Sequence, residues 1–205
     1  MILSIPRLLA GAALALPLMA NAVVYQFNAN LNAGNEVGHV SGSIATGIAT
    51  LSYNDFNTMS LADDTYNFAM SVFDLDGGAV AGTAASAFHI HGAATTAENA
   101  TVRVSLNVAP FVFLNSGTTL LVGGSGVSAP SIPAAGVYPA MSFLDMLVGG
   151  LAYVNVHTLA DPMGAVRGQL VQVAVVPEPE TYALLLAGLG LVGAAVRRRK
   201  ASIAS

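Results

Sequence analysis

Cysteine is absent from the 205 residues. Disulfides, thiolate metal sites and a cysteine nucleophile are therefore excluded. Tryptophan is absent too, and charged residues make up only 9% of the chain. That leaves little material for charged surface helices. Hydrophobic residues reach 54% and glycine is plentiful, a mixture that suits short strands and turns. Basic charge is scarce where it would count. Of seven Lys and Arg, only Arg103 and Arg167 lie in the central region, and the net charge is −4. A phosphate-binding face needs the opposite balance, so nucleic acid is excluded as a partner. No serine stands in a Gly-x-Ser-x-Gly context, which removes the usual hydrolase elbow.

The first end is a targeting segment. Residues 1–22 combine Arg7, an apolar run from Leu8 to Met19, and the small-x-small site Ala20-Asn21-Ala22. This is the pattern of a signal peptide cut by signal peptidase, with the mature chain starting near Val23. The other end, residues 176–205, has three parts. Val176, Pro177, Glu178 and Pro179 are extended, because proline blocks helical hydrogen bonding. Residues 181–196 carry no charge, and as a helix they would reach ~24 Å, enough for a short transmembrane helix. Arg197, Arg198, Arg199 and Lys200 then act as a stop-transfer cluster held in the cytoplasm. Together these parts resemble the PEP-CTERM sorting signal. The resemblance implies an exosortase-type membrane protease as partner, transient anchoring in the inner membrane, and release to the cell surface or outside. It also implies association with exopolysaccharide and biofilm matrix.

Between the ends, residues 23–175 read as one domain of many short strands. Val23, Tyr25, Phe27, Ala29 and Leu31 alternate with polar neighbours, as do Tyr66, Phe68, Met70 and Val72, and Val102, Val104, Leu106 and Val108. Period two with one polar face marks half-buried strands. Shorter runs at 43–53, 56–61, 86–91, 111–114, 118–122, 152–157 and 165–175 complete the set. Asp63-Asp64 and Asp76-Gly77-Gly78 are turn signals, the first of them solvated. Residues 140–148 crowd apolar side chains on one face and predict a short helix closed by Gly149-Gly150. The Gly- and Ser-rich residues 123–139 read as a mobile connection. The fold class that follows is all-β, an antiparallel Greek-key-like sandwich or barrel with one short helix.

The candidate chemistry is a histidine constellation. In a strand, His89 and His91 point one way while Phe88 and Ile90 point into the core. Tyr153, Asn155 and His157 likewise share a face. If these strands are neighbours, three imidazoles converge, with Asn155 and Arg167 in support. Neutral imidazoles suit Zn²⁺ or Cu²⁺, and His39, Asp161 or Glu98 are the candidates for a fourth ligand. The alternative is that the histidines bond to one another and to nearby carbonyls, locking two strands together.

His89-Ile90-His91-Gly92, Tyr153-Val154-Asn155-Val156-His157-Thr158, Arg167-Gly168-Gln169-Leu170 and Gly34-Asn35-Glu36-Val37 together resemble the CHRD domain. The resemblance implies a β architecture and a structural or interaction role, with no enzymatic activity attached. The chain departs from the family's pattern at Gly38 and Ala93, where proline is frequent, and at Ala165, where an acidic residue is. His-x-His on a sheet strand also resembles copper/zinc superoxide dismutase, but only loosely, and that family uses more histidines than this chain offers. The functional expectation is an exported, sorted surface or matrix protein with a structural module. A secreted metal-binding domain, with or without redox activity, is the alternative.

Overall fold

Alternation sets the first three strands. The computed structural model describes residues 23–56, 60–76, 78–79, 87–129, 131–173 and 185–193. Strands β1 (Val23–Asn32), β2 (Thr46–Asp55) and β3 (Thr65–Phe73) form an antiparallel meander. Phe27, Leu51 and Val72 point inward and are fully buried. Each such side chain contributes ~1.5–3 kcal/mol by leaving water. Eight further elements follow: β4 (Phe88–His91), β5 (Val102–Ser105), β6 (Val112–Ser116), β7 (Thr119–Val127), α1 (Phe143–Val148), β8 (Tyr153–Val156), β9 (Val166–Gln169) and β10 (Val171–Val173). The strand order is β5-β4-β8-β9-β1-β2-β3-β7-β6, with β10 also on β1. All pairings are antiparallel, and the sheet curls into a half-barrel around its apolar face. The expected all-β class with one short helix is what folds.

Several local expectations need correction. The strand read at 56–61 is absent among the described residues there; the chain turns at Leu61 and Ala62 instead. Asp64 is the reason. It is 1% exposed, not solvated, and its Oδ1 accepts from the Phe56 amide at 3.1 Å. Its Oδ2 accepts from the Tyr53 hydroxyl at 2.9 Å, and Ser128 stands 2.7 Å from that hydroxyl. This buried polar knot ties Phe56 and Asp64, on either side of the β2–β3 loop, to the end of β7.

The mobile connection read from residue 123 is strand as far as Val127. Its glycines answer to packing. A Cβ on Gly126 would stand 2.4 Å from the Tyr66 ring, and one on Gly124 would stand 2.8 Å from Phe111. Tyr66 in turn lies 5.0 Å from Phe143 and 6.3 Å from Phe111, ring centre to ring centre. Helix α1 starts at Phe143 rather than residue 140, because Met141 is held in a two-way backbone bridge to Ile132. Ser142 then caps the helix: its hydroxyl accepts from the Asp145 amide at 2.9 Å and Asp145 reaches back. Gly150, at φ +65°, supplies the left-handed turn that ends it.

At the far end, residues 185–193 are helical. Among the described residues no helix is long and apolar enough to cross a membrane. The signal segment 1–22, Val176 to Pro179, residues 181–184 and 194–196, and Arg197 to Lys200 lie outside the described residues.

Candidate metal centre

The site is built on three adjacent strands. Register pairs His89 with Asn155, and Asn155 with Arg167; it also pairs His91 with Tyr153, and Tyr153 with Gln169. Because alternate residues share a face, His89, His91, Tyr153, Asn155, Arg167 and Gln169 all project from one side of β4–β8–β9. His157 follows β8 on the same side, its amide donating to the Ala87 carbonyl at 2.8 Å. Phe88, Ile90, Val154 and Val156 fill the opposite face and are fully buried.

The polar face is buried as well, which alternation alone does not reveal. His89 is 0% exposed, His91 and His157 8% each, and Arg167 1%. The connections β4–β5 and β8–β9 fold over it. Arg167 holds the first of them, donating to Asn99 Oδ1 and the Thr95 carbonyl, each at 2.9 Å. Its guanidinium also lies 3.5 Å from the Tyr153 ring centre, and that ring stacks on His91 at 4.9 Å. Arg167 is thus a clamp on the cover of the site.

The three histidines come together. Their ring centres lie 5.4, 5.6 and 6.4 Å apart. One nitrogen from each lies within 4.8 Å of the other two, the one such group among the described residues. Nitrogens on a tetrahedral Zn²⁺ at ~2.0–2.1 Å stand ~3.3–3.4 Å apart.

Two backbone carbonyls fix how the rings present themselves. His91 Nδ1 lies 2.9 Å from the Ala100 carbonyl, and His157 Nδ1 lies 3.0 Å from the Pro162 carbonyl. A carbonyl only accepts, so both Nδ1 atoms carry the proton and both Nε2 atoms present a lone pair. Those two Nε2 atoms are buried and have no hydrogen-bond partner. Burial, the largest cause, pushes His91 down to about 4 and lowers His157 as well. Both rings are therefore neutral at pH 7, the ligating form. A ligand histidine held by a carbonyl on its second nitrogen is the usual outer-shell arrangement of a metal site.

The other sequence candidates do not join the group. His39 Nε2 is engaged with the Gly164 carbonyl at 2.9 Å. Asp161 Oδ1 accepts from the Gly42 amide, and Glu98 accepts from Thr95 and Tyr138. Glu36 is the residue whose role sequence reasoning missed. Its Oε2 lies 3.4 Å from Asn155 Nδ2, and its Oε1 is buried without a partner. Burial, opposed by His39, Asn155 and Arg167, raises it to about 7. One signal was available: Glu36 is the only carboxylate between Val23 and Asp55.

A family model described as the CHRD domain matches residues 27–170. A second, the PEP-CTERM protein-sorting motif, matches residues 175–200. No curated protein and no solved structure matches the chain.

These shifts set opposing pH dependences. His91 has a folded value of about 4, below its unfolded 6.5. Its neutral burial therefore contributes stability above pH 6.5 that is lost as pH falls toward 4. Glu36 has a folded value of about 7, above its unfolded 4.5, so its contribution is present below pH 4.5 and is lost as pH rises through 7. Glu36→Gln should raise unfolding stability at pH 8, by ~1–3 kcal/mol once the part of the side chain open to water is discounted. The gain should vanish near pH 4.5, leaving a steeper acid loss between pH 6.5 and 4. Denaturant melts of the metal-free protein across pH 4–8 check this; a gain that does not change with pH contradicts it.

Proposed function

The chain belongs to the CHRD domain family, and on that premise we propose that it is an exported, exosortase-sorted protein whose domain holds Zn²⁺ or Cu²⁺ at His89, His91 and His157. The domain works as a structural or interaction module at the cell surface or in the extracellular matrix, not as a catalyst. The observation that carries the metal reading is the convergence of three imidazole nitrogens within 4.8 Å on a buried face. The carbonyl contacts of His91 and His157 support it, since they hold the proton on Nδ1 and direct both Nε2 lone pairs away from the backbone, while burial keeps the rings neutral. Oxidising surroundings place no demand on this chain, because imidazole ligation does not depend on thiols.

The address rests on the two ends. Residues 1–22 supply the signal peptide, and the sorting motif follows the last strand, β10, almost directly. Its helix anchors the chain in the inner membrane only until exosortase cuts near Pro177-Glu178-Pro179. The mature module is then free to meet exopolysaccharide in the matrix.

In a host with active exosortase, the wild-type chain should lose its C-terminal tag and leave the inner membrane. The triple change Pro177→Ala, Glu178→Ala, Pro179→Ala should stay in the membrane at full length. Fractionation with N- and C-terminal tags reads both; a wild-type chain that stays in the membrane with both tags ends the sorting reading. For the metal, elemental analysis of reconstituted full-length protein should give one Zn or Cu per chain. His157→Ala should cost more affinity than the ~10–100-fold typical of losing an outer-shell partner. Protein that retains no metal after reconstitution removes the site.

A further inference from the structure

The histidine face carries more lone pairs than donors. Besides His91 Nε2 and His157 Nε2, the Asn155 Oδ1 atom is buried and lacks a hydrogen-bond partner. Leaving one such acceptor unsatisfied costs the full desolvation of that group. Grouping several on one face adds repulsion between lone pairs. A single cation relieves all of them together.

Asn155 is placed to share that cation. It is the direct cross-strand partner of His89, and it precedes His157 by two residues on the same face. Opposed residues on antiparallel strands hold their Cβ atoms ~4.5–5.5 Å apart, so the carboxamide stands beside the imidazoles. Asn155 is 5% exposed, too little for water to serve its oxygen freely. Glu36 sets the orientation. Asn155 Nδ2 faces Glu36 Oε2 at 3.4 Å, which turns the carboxamide oxygen away from the carboxylate. Gly164 makes room for this: a Cβ there would stand 2.6 Å from both Glu36 oxygens.

We propose that Asn155 Oδ1 is the fourth ligand of the metal held by His89, His91 and His157, with Glu36 as the residue that positions it. This rests on the three-histidine reading and goes further, because it closes the coordination sphere. Four protein ligands make a holding site, whereas three plus an exchangeable water make a catalytic one. The four ligands are neutral and leave the ion's double charge uncompensated, so Glu36 also supplies a carboxylate behind Asn155.

Co²⁺ serves as a coloured probe in place of Zn²⁺, in full-length protein purified in detergent. The wild type should show a strong four-coordinate visible band that azide does not shift. Asn155→Ala should weaken Co²⁺ and Zn²⁺ binding by about 10–100-fold, the scale of losing a weak or outer-shell partner. Its band should then respond to azide, as water enters the vacated position. Asn155→Asp, which keeps an oxygen in place and adds a negative charge, should bind at least as tightly as the wild type. A wild-type band that azide shifts overturns the fourth ligand, and this readout needs no variant to fold. If Asn155→Ala leaves affinity and band unchanged while His157→Ala abolishes binding, the three-histidine site survives and this inference falls. If the wild type binds neither ion, both fall together.

Discussion

Two backbone carbonyls, those of Ala100 and Pro162, decide what the histidine face is. By accepting from Nδ1 they choose the tautomer of His91 and His157 and aim both Nε2 lone pairs into a buried space. Without them the rings could donate to one another and close the cluster as an ordinary hydrogen-bonded lock. Both carbonyls belong to the connections that cover the face. Arg167 holds the β4–β5 connection through Thr95 and Asn99, and Asp161 and the Gly164 and Ala165 carbonyls tie the β8–β9 connection to residues 39–42. The chemistry of the site therefore depends on loops, while its placement depends on the sheet.

Much of the sheet was legible because period two is a strong signal wherever one face is apolar. Tyr66, Phe68, Met70 and Val72 are all buried, as their alternation requires. The same logic put His89, His91, Asn155 and His157 on one side. It could not say that this side is buried too, since burial by loops leaves no periodic trace. It misread Gly124 and Gly126 as slack, because a glycine that yields space to Phe111 or Tyr66 looks in sequence like one in a turn. It took Asp64 as solvated for a similar reason: the partners that bury it, Tyr53 and Ser128, lie 11 and 64 residues away. Glu36 was invisible as a site residue because its contact with Asn155 spans 119 residues of chain.

The ends and the middle of the chain speak to different questions. The C-terminal motif gives an address through short, ordered parts that need no tertiary structure to be read. The domain gives a site whose parts are ordinary singly and informative only together: the neutral buried rings of His91 and His157, the carbonyls on their Nδ1 atoms, and the unpartnered acceptors His91 Nε2, His157 Nε2 and Asn155 Oδ1. A polar cluster half-satisfied in this way is costly in an apolar setting. The proposed cation would satisfy these acceptors together.

X-ray absorption of the Zn²⁺-loaded full-length protein tests that account most directly. The account predicts nitrogen and oxygen neighbours bound to the ion at ~2.0–2.1 Å, with the more distant scattering pattern of three imidazoles. A spectrum without imidazole scattering would contradict it.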